Sequence, residues 1–206
     1  MTTLYYVLDP MCSWCYGFSP TWQKVLENLS DDIKVVYVHG GLAPHSDDLM
    51  PQDMQEMLQG IWRQISEQLG TKFNYDFWTK CEPRRSTYLS CQAAIAARLQ
   101  NKEYEMIKAI QEQYYLNAKN PSNRDTLEDA ARSIDLDMEK FSTHLESDEI
   151  VALFEEDLKK RRKLKMNSFP SLVFKYKNNY FPIQVQYNNQ EAILNQINDL
   201  NKNIYF

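Results

Sequence analysis

Residues 9–17 read D-P-M-C-S-W-C-Y-G and place two of the chain's four cysteines, Cys12 and Cys15, three residues apart. A pair at that spacing can exchange electrons as a dithiol–disulfide couple, supply half of a zinc site, or stand together by accident. Its surroundings favour the first. Thr3 to Leu8 is apolar and rich in β-formers, and Asp9-Pro10 ends it, because a residue before proline avoids the helical region. A helical period begins near Ser13, so the cysteines stand where a strand gives way to a helix. The free N–H groups of a first helical turn and the positive end of its dipole both favour an anion. Cys12 is therefore expected to ionise readily, and the thiolate is the form that attacks a disulfide. Cys15, one turn further on the same face, can resolve a mixed disulfide formed at Cys12.

The elements that must hold this pair follow from hydrophobic periodicity. The first helix runs from Ser13 to about Leu29, with Phe18, Trp22, Val25, Leu26 and Leu29 on one face. Pro20 falls inside it, at a cost of ~3 kcal/mol unless a kink there is useful. Ile33 to Val38 is a second strand, closed by His39-Gly40-Gly41, and two strands joined by such a helix form a parallel βαβ unit. From Leu42 to about Lys165 only helical patterns occur, over 49–69, 87–99, 103–116, 127–134, 137–145 and 149–163. After Phe169-Pro170 two strands return, Ser171 to Tyr176 and Tyr180 to Val185, turning about Lys177-Asn178-Asn179. A helix over 191–200 closes the chain. The order is βαβ…ββα, an α/β frame with a large all-helical insertion between the second and third strands. The expected division is a discontinuous α/β domain over 1–42 and 166–206 and a helical domain over 43–165.

Composition limits the setting. The net charge of -5 over 206 residues argues against general binding to nucleic acid. No apolar run reaches membrane-spanning length, and the first residues lack the pattern of a secretory signal. A cytoplasmic location follows as the expectation. Structural disulfides are rare there, which favours catalysis or metal binding for a close cysteine pair. Proline entering a strand from a turn, as at Phe169-Pro170, is a natural place for a cis peptide, although the residues alone leave the isomer open.

Taken together, the βαβ…ββα frame, the C-x-x-C at the first helix, the proline five residues on and the Phe-Pro before the third strand resemble the thioredoxin fold. The insertion makes the chain similar to the DsbA-like thiol:disulfide oxidoreductases. The stretches D-P-M-C-S-W-C-Y-G-F, H-G-G-L, S-C-Q-A-A-I-A-A-R, Y-Y-L-N-A-K-N-P-S-N and S-F-P-S-L-V-F resemble their cytoplasmic, FrnE-like branch. The resemblance implies that Cys12 and Cys15 are catalytic and that Pro170 is cis and packs beside them. It implies that Ser13, Trp14, Phe169 and Pro170 contact substrate, with Trp14 as a bulky, partly exposed cap and the helical part forming the far wall of a groove. No cofactor is implied. The implied partners are polypeptide thiols and disulfides or glutathione, with a thiol pool or reductase resetting the pair. Ser168 departs from the glycine of many relatives and either narrows the groove or donates a hydrogen bond.

Other features have two readings each. Cys81 and Cys91 lack zinc-knuckle spacing and read as helix-packing residues or as a second, regulatory disulfide. Met50, Met54 and Met57 share a helical face, either as core or as a pliable surface for polypeptides. His39 is either structural at the strand end or close to the groove. Lys159-Lys160-Arg161-Arg162-Lys163 and Arg84-Arg85 are solvated helix ends or attractors of acidic substrates. The expected function is a dithiol–disulfide oxidoreductase. The alternatives are a glutathione-dependent isomerase or transferase of the kappa type, whose site centres on serine, a non-redox peptide-binding module, and a zinc module.

Overall fold

A computed structural model describes residues 2–202 of the chain; Met1 and residues 203–206, the outer ends of the expected α/β part, lie outside it. Strand β1 (Thr2–Leu8) leads into helix α1 (Ser13–Asn28) and strand β2 (Ile33–His39). The helical insertion follows as α2 (Gln52–Leu69), α3 (Phe77–Lys80), α4 (Tyr88–Arg98), α5 (Glu103–Tyr115), α6 (Arg124–Ser133), α7 (Met138–Leu145) and α8 (Asp148–Lys163). The chain then returns through β3 (Ser171–Tyr176), β4 (Asn179–Ile183) and α9 (Gln190–Lys202). The sheet order is β2-β1-β3-β4. β1 and β2 are parallel, with Leu4 opposite Val35, while β3 runs antiparallel to β1 with Phe174 opposite Leu4. This is the βαβ…ββα thioredoxin fold with its insertion between the second and third strands.

Several element ends differ from the periodic reading for physical reasons. α2 starts at Gln52, not Leu49, because Pro51 takes its cap position and Leu49 bridges to Arg84 instead. β4 stops at Ile183, since the backbone N–H and C=O of Gln184 are taken by the Gln196 side chain of α9. The hairpin closes through Lys177 and Asn178, and the left-handed position falls on Lys177 (φ 51°), not on an asparagine. The four-residue α3 was too short to show a period. Side-chain caps form at α7 and α8: the Asp137 carboxylate accepts the Lys140 N–H, and the Ser147 hydroxyl accepts that of Ile150.

Packing follows from the pleat. One sheet face buries Leu4, Tyr6, Leu8 and Phe174 against Phe18 and Trp22 of α1 and Ile193 and Ile197 of α9. The other face presents Val7, Val38 and Val173, covered by Leu164 at the end of α8. In the insertion α4 is buried on nearly every side, and its alanines allow α5, α6, α7 and α8 to pack closely about it. An aromatic cluster of Trp62, Phe77, Tyr114 and Tyr115 joins α2, α3 and α5 beneath Met11.

Candidate active site

Cys12 occupies the cap position of α1 in extended backbone (φ -80°, ψ 115°), and its N–H donates to the Asp9 carbonyl at 3.0 Å. Its thiol lies 3.6 Å from the carbonyl oxygen of Phe169, 157 residues away. The Phe169–Pro170 peptide is cis, and Pro170 is buried at the entry to β3. Cys12 retains 8% of its surface, whereas Cys15, one turn on, retains 0%. Burial pushes the Cys15 thiol well up from its ordinary pKa, and the neighbouring Cys12 adds to the shift. Both cysteines are free thiols. Of the two, only Cys12 retains any exposed surface.

Ser13 and Trp14 are half-buried between them. The Trp14 ring, partly exposed, stands edge-on to Tyr187 at 5.1 Å and packs against the α/β core. Ser168 uses its carbonyl, not its hydroxyl, to accept the Ser171 hydroxyl at 2.6 Å.

The loop after β2 explains its glycines. The ring of Phe169 lies on Gly40 so closely that a Cβ there would fall 2.1 Å from a ring carbon. The Gly40 N–H donates to Leu8 at 2.6 Å, and its carbonyl accepts Arg161 Nη1 at 2.8 Å. The Arg161 guanidinium sits 5.8 Å from the Phe169 ring centroid. One member of the basic run thus turns inward to brace the Phe169 loop, which corrects the reading of the run as a wholly solvated helix end.

Three further residues shape the site without having been singled out from the sequence. Asp9 is wholly buried; its carboxylate accepts the N–H groups of Met11 (2.8 Å) and Leu42 (2.7 Å), the Thr87 hydroxyl (2.7 Å) and the Cys91 thiol (3.5 Å). Burial raises its pKa above the usual carboxylate value, with Thr87, Leu42, Met11 and Cys91 pulling the other way. Asp9 therefore ties the cysteine loop to the loop after β2 and to α4. The Tyr115 hydroxyl donates to the Met11 carbonyl at 2.7 Å, fixing the same loop from α5. Arg98 holds the carboxylates of Glu103 (2.7 Å) and Asp157 (2.8 Å). His39, buried, pairs with Glu103 at 3.0 Å, and its backbone N–H donates to Asp157. The visible signal for Asp9 was an acidic residue inside the cysteine motif; nothing local pointed to the partners of the other two.

The other two cysteines have surroundings of their own. Cys91 is buried against Asp9, and the Cys81 thiol, in the separate aromatic cluster, meets the Ala118 carbonyl at 3.0 Å; both are free thiols. Among the described residues no group of three His, Cys, Asp or Glu side chains is arranged to hold a metal ion.

A thioredoxin fold with a C-x-x-C at the cap of its first helix, facing a cis-proline loop, defines the class. The family model described as Thioredoxin matches residues 5–196, and the chain belongs to that family. A candidate protein disulfide isomerase from Nitrosomonas europaea superposes with a TM-score of 0.87 at 21% identity, over 100% of this chain and 99% of that one. The cytosolic disulfide reductase DsbM from Pseudomonas aeruginosa gives 0.75 at 20% identity, over 98% and 97%; it has also been solved with GSH. These likenesses establish the fold. The ClpXP adapter protein SpxH of Halalkalibacterium halodurans is 24% identical over 177 residues, 83% of this chain and 58% of the relative. That of Bacillus subtilis is 23% identical over 174 residues, 83% and 57%. The chain thus spans under three-fifths of the length of these curated relatives.

Proposed function

We propose that this chain is a thiol–disulfide oxidoreductase working through Cys12 and Cys15. The Cys12 thiolate attacks one sulfur of a substrate disulfide; that S–S bond breaks, and one substrate thiol leaves with a proton. Cys15 then gives up its proton and attacks the Cys12 sulfur. The second substrate thiol departs, and a Cys12–Cys15 disulfide remains. Two electrons and two protons have passed to the substrate, and the reverse sequence oxidises a dithiol. The substrates are polypeptide disulfides, and glutathione, a cytoplasmic thiol pool or a reductase resets the pair.

The observation that carries this reading is the inequality of the two sulfurs. Cys12 keeps a small opening to solvent beside the Phe169 carbonyl, whereas Cys15 is sealed completely. Ser13 and Trp14 on one side and Phe169 and Pro170 on the other then contact the substrate chain. The intact C-S-W-C speaks against a kappa-type transferase with a serine-centred site. We also propose that the parts 1–42 with 166–206 and 43–165 act as two domains, the helical one supplying the far wall of the groove.

The names of the two curated relatives favour a second reading, in which the chain binds a polypeptide as an adapter and its redox state is secondary. Substitution separates the two. On the oxidoreductase reading, Cys12→Ser abolishes disulfide turnover, and Cys15→Ser accumulates a mixed disulfide with substrate that a reductant releases. Retention of full biological activity by Cys12→Ser supports the adapter instead.

A further inference from the structure

A cleft of about 60 Å³ opens beside the redox pair. Met11 and Ser13, the two neighbours of Cys12, form one wall, and Leu42, Met50, Leu58 and Trp62 form the others. Leu42, which lines it, is 40% exposed. For comparison, a dry cavity of roughly 150 Å³ accepts benzene. This cleft therefore suits one small aliphatic side chain.

Arg84 and Arg85 line the same cleft. Neither guanidinium has a carboxylate partner among the described residues: Arg84 is held by the side-chain oxygen of Asn123, and Arg85 points to the Met54 sulfur at 3.9 Å. In a chain with net charge -5, two unpaired cations at an apolar cleft next to the reactive cysteine select for an acidic ligand. Glutathione has carboxylates but no aliphatic side chain to fill the apolar part. A polypeptide supplies both.

We infer that this cleft reads the substrate's sequence: an aliphatic residue adjacent to the substrate cysteine enters it, and an acidic residue beyond meets Arg84 and Arg85. The inference rests on the oxidoreductase reading for the identity of the cysteine between them. It is tested with sulfur-free probes, so binding is read separately from turnover. Fluorescein-labelled peptides centred on E-L-S-L-E, E-G-S-G-E and K-L-S-L-K, in which serine replaces the cysteine, are titrated by anisotropy. E-L-S-L-E should bind most tightly, each of the others about fivefold more weakly. Arg85→Glu should invert the preference between the acidic and basic peptides, and Leu58→Trp should erase that between leucine and glycine. Equal affinities for the three peptides, or an unchanged charge order in Arg85→Glu, overturn the inference even where Cys12 turns over disulfides. Selective binding by a chain that turns over none sinks the oxidoreductase reading and keeps the cleft.

Discussion

At Cys12 and Cys15 two identical side chains differ because one caps a helix at the surface and the other begins its buried face. Alkylation at neutral pH should therefore modify Cys12 roughly a hundredfold faster than Cys15. Peptide mass spectrometry of the folded protein checks this, and equal rates would contradict the assigned roles. Asp9 predicts a stability effect with a definite sign. Removing its carboxylate in Asp9→Ala leaves the Met11 and Leu42 N–H groups without an acceptor, at a cost of about 2–4 kcal/mol. The carboxyl's pKa is raised in the fold, so its contribution is full below its unfolded value and is lost as pH climbs through the raised one. The penalty should therefore shrink as pH rises from about 4, which urea titrations at several pH values will read. The cysteines and Phe169-Pro170 were legible because they form short motifs. The bonding of Asp9 was not, since Thr87 and Cys91 lie 78 and 82 residues away.

Among the elements, the loop after β2, the end of α8 and the entry to β3 form one bracket around the Phe169 carbonyl that faces Cys12. Gly40 is its tightest point. Gly40→Ala puts a Cβ into the Phe169 ring, and the displaced loop should cost about 1–3 kcal/mol of stability. On the proposed function, disulfide turnover should fall about tenfold or more, because the loop that sets the Phe169 carbonyl beside Cys12 moves. A Gly40→Ala chain with wild-type stability and turnover would show that the bracket does not position the site. Strands and helices themselves could be read with few errors, because alternation and the 3.6-residue period are local properties. The inward turn of Arg161 could not, since a run of five cations looks solvated until β2 is packed against it.

Across the whole molecule, a buried polar network joins the sheet to the insertion: His39 from β2, Arg98 from α4, Glu103 from α5 and Asp157 from α8. Burial works against the Glu103 carboxylate, but His39 and Arg98 more than offset it and hold its pKa below the ordinary value. A carboxylate lowered in this way stabilises the fold above its unfolded pKa of about 4.3, and that stability is lost as pH falls through the folded value. Wild-type Tm should thus drop in acid more steeply than that of Glu103→Gln, which at neutral pH should be about 3 kcal/mol less stable. Parallel acid limbs for the two proteins would remove Glu103 from the account. The order βαβ…ββα was readable at this scale, and with it the fold. The network that fastens the insertion was not, because its members are scattered over residues 39 to 157 and no local pattern links them.

The most direct test of the central claim is the redox equilibrium of Cys12 and Cys15 in glutathione buffers of graded potential. Differential alkylation and mass spectrometry of the tryptic fragment that carries both cysteines follow the pair without disturbing Cys81 or Cys91. The account predicts one reversible two-electron transition between dithiol and Cys12–Cys15 disulfide, lost entirely in Cys12→Ser. Two thiols that stay reduced through the most oxidising buffer would contradict it and leave the chain a binding protein.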